Sequence, residues 1–298
     1  MFNLKSYVFL LVGIIILTSC KPEEKESLAD ASVVAIDRLV TLDVKLSQPQ
    51  PGDWLDTHQE PGQTFEKYIQ EKPVTPTEQQ NKIYLQPIGK FSKVEEKLVT
   101  YTADYLQLFF GLETLVLPVL SDVIVPISAR RRTDAGDQLQ TGFIMDYLQR
   151  EIPNDGIVIM AITPNDLYPS SKYNFVFGQA RTKKRVGVSS FNRFADVMLD
   201  STNYSLCLSR LIKTSSHEIG HMFTCLHCIH AVCLMNGSNG LWESDLRPNR
   251  LCSDCLRKLH WNLRFEIKPR LEGIALYFKK HHLENEYKQA MQDLSVID

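Results

Sequence analysis

The 298-residue chain has almost no net charge. Its 33 lysines and arginines face 35 aspartates and glutamates, a formal balance of -2 at pH 7. Without a basic excess, nucleic acid is not an expected partner, and neither is an anionic membrane surface held by charge alone. No internal repeat, phosphate-binding loop or Ser-His-Asp pattern stands out, so repeat architectures, P-loop chemistry and the serine triad are set aside. The N-terminal apolar run, Tyr7 to Leu17, is too short for a comfortable membrane span. Cysteine is scarce over most of the chain: five of the seven lie between Cys225 and Cys255, which speaks against a chain-wide disulfide framework. With 44% apolar and 23% charged residues, the composition is that of an ordinary globular protein.

The N-terminus resembles a targeting segment. Lys5 precedes the apolar run, and Leu17-Thr18-Ser19-Cys20 resembles a bacterial lipobox, at which the chain is cut before a cysteine that then carries lipid. The other reading is an ordinary signal peptide ending near Ser19. Lys21 to Glu26 reads as a charged tether. The expectation is a mature protein in the bacterial cell envelope, lipid-anchored at Cys20 and facing periplasm or exterior.

The chemistry concentrates between His217 and Cys255. His217-Glu218-Ile219-Gly220-His221 places two histidines four apart, on one face of a helix at about 100° per residue. Leu208, Leu211, Ile212, Ile219, Met222 and Phe223 form the opposite, apolar stripe, as in a helix with one side in a core and the other on a cleft. Glu218 stands beside the first ligand, where a carboxylate can take a proton from a zinc-activated water. His227, six residues beyond His221, can serve as third ligand if the chain turns sharply. Three ligands leave a fourth position open, the catalytic arrangement. Cys228, Cys233, Cys252 and Cys255 form two close pairs, a zinc-ribbon-like set that makes a closed structural site. Two disulfides are the alternative, Cys228 with Cys233 and Cys252 with Cys255, in an oxidising compartment. The zinc reading gives two ions per chain, one catalytic and one structural. Cys207 reads as core filling and Cys225 as structural.

This spacing resembles the archaemetzincin family, whose pattern is His-Glu-x-x-His-x-x-Gly-x-x-His-Cys, a second Cys, a Met two residues later and a distal Cys-x-x-Cys. The likeness runs through Cys233-Leu234-Met235 and Arg247-Pro248 to Cys252, and covers about Lys82 to Leu259. One position departs from it: Thr224 stands where the family has glycine. Threonine there must either bear a left-handed backbone, at about 1–3 kcal/mol, or end the helix by another geometry that still delivers His227. The resemblance implies a zinc metallopeptidase acting on peptides, weakly aminopeptidase-like, with Glu218 as general base and Met235 as a packing floor under the metal.

Coarse patterning divides the chain into a signal peptide (1–19), a tether and variable region (20–81), a catalytic domain with the second zinc site (82–260) and a helical C-terminal segment (261–298). Strands are predicted at Ile83–Gly89, Thr114–Val119, Val123–Ile127, Gly156–Ile162 and Arg185–Phe191, and helices at Lys93–Phe110, Gln138–Arg150 and Ser205–Phe223. Val33 to Leu46 shows no clear period, though Trp54, Phe65 and Tyr68 suggest that part of the variable region packs on the domain. The resemblance implies that Phe175 to Ala180 is a candidate rim strand of the cleft, with a plain edge strand as the alternative, and Asp166 and Tyr168 read as ending the central strand. His260, His281 and His282 read as surface or packing residues. The alternation predicts an α/β (α+β) class, and the resemblance implies a metzincin-like zincin fold: a mixed sheet with an active-site helix, a cysteine-zinc subdomain and a helical C-terminal tail. Two other functions fit the same residues, a zinc-stabilised binding module impaired in catalysis and a disulfide-stapled lipoprotein scaffold.

Overall fold

The computed structural model describes residues 22–133, 136–195, 197 and 199–298; Cys20 and the expected signal peptide lie outside them. Its centre is β5 (Gly156–Thr163), buried at every position, as an unbroken apolar run requires of a strand covered on both faces. β5 lies between β1 (Lys82–Pro87) and β8 (Val186–Ser190), with β2 (Thr114–Val116) and β7 (Gly178–Arg181) outside them. The order is β2-β1-β5-β8-β7, parallel except for β7 at one edge. Side chains alternate across this sheet. Ile83, Leu85, Val158 and Met160 face a core shared with α4 (Lys93–Phe110) and α6 (Tyr204–Met222). Tyr84, Ile159, Ala161 and Val188 face α5 (Thr141–Glu151). A smaller sheet joins β3 (Arg130–Thr133), β4 (Gly136–Gln140) and β6 (Asp166–Tyr168). The mixed α/β class predicted from the pattern is the class observed.

Three local predictions are corrected. Val123 to Ile127 is not a strand: Asp122–Ile124 forms a 3-10 turn, because the Asp122 carboxylate is held by Arg130 and Asn165, which overrides β-branched propensity. The strand from Thr114 stops at Val116, ahead of Pro118. The second helix starts at Thr141 rather than Gln138, because Gln138 to Gln140 pair with β3 and β6.

Upstream of Lys82 the chain is built into the fold. The stretch expected to be tether and aperiodic is helix α1 (Pro22–Leu39), whose Ser32, Ala35, Ile36 and Leu39 are buried at helical spacing. Exposed Val33, Val34 and Val40 hid that period. After two short helices, α2 (Trp54–Thr57) and α3 (Phe65–Gln70), Tyr68 is wholly buried. At the far end, α7 (Leu241–Ser244) is followed by α8 (Ser253–Leu263), α9 (Ile267–Lys280) and α10 (Glu284–Ile297), which pack with α1 around the cysteine region. Among the described residues no helix is long and apolar enough to cross a membrane.

Candidate metal centres

Helix α6 carries the first two histidines, and the apolar stripe from Leu208 to Phe223 is wholly buried, as its spacing requires. Gly220 sits where Met235 passes beneath the helix. A Cβ there would lie 2.7 Å from the Met235 sulfur, so only glycine lets that floor approach. The helix then ends in a Schellman turn: Cys225 N–H donates to Gly220 O and Thr224 N–H to His221 O. The residue at the left-handed position is Thr224, with φ of 71°. Its hydroxyl accepts from Val74 N–H (3.2 Å) and its carbonyl from Gln63 Nε2 (2.9 Å). The side chain that strains the turn also ties it to the upstream segment. Thr224→Gly is therefore expected to change stability little, since relief of strain is offset by an orphaned Val74 N–H. Thr224→Ala keeps the strain and loses the bond, and should cost about 1–3 kcal/mol. Denaturant unfolding of the two variants separates these terms, and an alanine variant as stable as the parent would contradict the account.

The turn delivers His227. Its Nε2 lies 3.3 Å from His217 Nε2, which in turn lies 3.0 Å from His221 Nε2. All three rings are fixed from behind. His217 Nδ1 faces Leu234 O (2.9 Å), His221 Nδ1 faces Cys225 O (2.6 Å) and His227 Nδ1 faces the Glu60 carboxylate (2.7 Å). A carbonyl or carboxylate can only accept, so each Nδ1 carries the hydrogen and each Nε2 is left with a bare lone pair. Three lone pairs facing one another satisfy nothing among themselves; they fit a cation. Zinc held at about 2.0–2.1 Å from each nitrogen sets them roughly 3.3 Å apart in a tetrahedron. Burial pushes His217 down to about 3 and His221 well below its usual value, which keeps both imidazoles neutral, as ligands must be.

Glu218 is buried on the same helix, and burial pushes its carboxyl up to about 8. It lies against β7: a Cβ on Gly178 would come within 2.8 Å of its Oε1, so the bare backbone of the sheet's antiparallel edge strand makes room for this carboxylate. The predicted rim, Phe175 to Ala180, thus includes the first residues of that edge strand. Asp166 lies in β6 and pairs with Arg193 (2.6 Å) instead of joining the metal centre.

The cysteines converge below. One sulfur from each of Cys228, Cys233, Cys252 and Cys255 falls in a cluster whose ligand atoms lie within 4.8 Å of one another, all buried. Cys228 and Cys252 Sγ are 3.7 Å apart, against roughly 3.8 Å for two thiolates at 2.3 Å from a tetrahedral zinc. The six described cysteines are free, so neither alternative disulfide is present. Cys252 N–H (3.2 Å) and Met235 N–H (3.4 Å) both point at Cys233 Sγ. Asn236 staples the loop, donating to Cys228 O and Ala231 O and accepting from Cys233 N–H. Cys207 fills the core and Cys225 is buried in the turn. His260 packs inside, its Nδ1 on Phe265 O (2.8 Å), and His281 is buried.

The spacing did not reveal Glu60 or His230. His230 lies 3.8 Å from Cys228 Sγ and 2.9 Å from Asp254, and its neighbours, Cys252 foremost, push it up to about 9.

A model of peptidase family M54 matches residues 140–261. Archaemetzincin-2 of Macaca fascicularis is 33% identical over 262 residues, spanning 76% of this chain and 71% of that protein. The chain belongs to the archaemetzincins. Human archaemetzincin-2 is 32% identical over 257 residues, with the same shares covered. The crystal structure of archaemetzincin from Methanopyrus kandleri superposes with a TM-score of 0.52 at 28% identity, covering 64% of this chain and 99% of that one. As an archaemetzincin the protein is a zinc metallopeptidase, and both ligand clusters fall in the part of the chain that the family model matches. Thr224 holds the left-handed conformation that glycine usually supplies at a helix end.

Proposed function

We propose that the protein hydrolyses peptide bonds with Glu218 as general base, and that it works outside the cytoplasmic membrane as a lipid-anchored enzyme with two zinc ions per chain. The observation that carries the catalytic reading is the convergence of three Nε2 lone pairs beside a buried carboxylate that lies against the sheet's edge strand. His217, His221 and His227 would hold the metal, which supplies Lewis acidity toward a carbonyl and a water. Glu218 takes the proton from the attacking water and can hand it to the leaving amine. As the edge strand of the sheet, β7 would offer backbone groups to an extended peptide. The left-handed Thr224 keeps His227 in place, which favours catalysis over a binding module that has lost it.

Aminopeptidase-like action is part of the proposal. It is tested by incubating the zinc-loaded protein with peptides whose N-termini are free or acetylated. Cleavage confined to free termini is expected, and equal cleavage of both would make the enzyme an endopeptidase. The anchor rests on Leu17-Thr18-Ser19-Cys20. Mass spectrometry of the mature protein should find acyl chains on Cys20, and Cys20→Ala should release the protein from membranes. A mature N-terminus elsewhere, without acyl chains, refutes the anchor.

A further inference from the structure

His217 and His221 take their rear acceptors from main-chain carbonyls of the metal-binding region itself, Leu234 and Cys225. His227 does not. Its acceptor is a side chain 167 residues away in sequence. We propose that Glu60, carried on a strap formed by residues 53–63, is a positioning residue of the histidine metal centre, fixing His227 and adding a negative charge behind it. The proposal rests on the metal-centre reading above.

The strap is held on both flanks of His227. On one side Trp54 N–H donates to Glu243 (3.0 Å), a buried carboxylate that also receives Asn239 N–H (2.8 Å) and Arg247 (3.4 Å). The Trp54 ring stacks on His58 at 3.7 Å and lies against Gly237, two residues beyond Met235. On the other side Gln63 clasps the turn, donating to Thr224 O (2.9 Å) and accepting from Leu226 N–H (3.2 Å), while Lys258 donates to Gln63 O. Glu60 lies between these anchors. Its Oε1 receives both His227 Nδ1–H (2.7 Å) and Trp54 Nε1–H (2.9 Å), and its Oε2 is buried with no hydrogen-bond partner among the described residues.

That geometry is more than a surface latch. Two donors converge on one oxygen and fix the carboxylate, which in turn fixes the ring and leaves Nε2 unprotonated toward the other histidines. A carboxylate behind a metal-bound histidine also raises the basicity of the ligand, which the carbonyls behind His217 and His221 do less strongly. Removing such a group commonly weakens metal binding by about 10–100-fold.

Competitive zinc titration, with the cysteine cluster already filled, measures this without reference to hydrolysis. Glu60→Ala should weaken zinc at the histidine site by about 10–100-fold and leave the cysteine site unchanged. Glu60→Gln keeps an acceptor oxygen for both donors and removes the charge, so an intermediate loss is expected; it also serves if the alanine variant folds poorly. Affinities within twofold of the parent in both variants would reduce Glu60 to a structural latch and overturn the proposal. A parent that binds no metal at the histidines overturns both this and the metal-centre reading, so the two failures are told apart.

Discussion

Glu218→Gln is expected to keep the parent's metal content and to lose peptide hydrolysis by about 10²–10⁴-fold or more. The substitution preserves size and removes only the base. Since the three imidazole nitrogens form the ligand set without Glu218, the metal should stay. A second readout follows from burial. The Glu218 carboxyl is raised from 4.5 to about 8, so the folded protein holds that proton where the unfolded chain has released it. For an acid shifted upward, the stabilisation is present below about 4.5 and is lost as pH climbs through about 8. A bound cation would counter that shift, so the effect belongs to the metal-stripped protein. Stripped Glu218→Gln should match the parent in thermal midpoint near pH 4 and exceed it increasingly toward pH 9. Unchanged turnover in the metal-replete variant would sink the general-base mechanism.

The helix that carries His217 and His221, and both groups of side chains that could hold a metal, were legible because their information is local. His217 and His221 are a turn apart, the stripe from Leu208 to Phe223 repeats within one helix, and each cysteine pair closes within a few residues. β5 was legible because an apolar run leaves a strand no exposed face. What local pattern cannot show is a contact made across the chain. Glu60 stands next to Pro61 and Gly62, in a stretch without period, and its meaning depends on His227, 167 residues away. Gln63 on the Thr224 turn and Asp43 on Ser253 (3.0 Å) are of the same kind. Polar β3, Arg130 to Thr133, was hidden for another reason: it has almost no apolar side chain to betray alternation, and antiparallel pairing with β4 creates it.

Loss of the cysteine site should have the larger structural effect. The parent is expected to carry two zinc ions, and a chelator should strip the histidine site first, because three protein ligands leave it open while four thiolates close the other. Cys252→Ser should remove the closed site and with it a contribution that, for structural zinc in small domains, amounts to about 10–16 kcal/mol of apparent binding. Even a fraction of that rivals the total stability of a domain, about 5–15 kcal/mol. The effect should also reach the catalytic metal. Cys233 and Met235 flank Leu234, whose carbonyl orients His217, and Cys228 adjoins His227 and bonds through its amide to Met235 O (2.8 Å). The coupling is one-sided: His217→Ala should lose one ion and stay folded, whereas Cys252→Ser should lose both or unfold. Elemental analysis per chain, with thermal unfolding of the two variants, reads this directly. Parent protein holding one zinc or none, with its four cysteines oxidised, would remove the second site. If Cys252→Ser instead keeps a fully loaded histidine site at parental stability, the cysteine cluster does not support the catalytic loop.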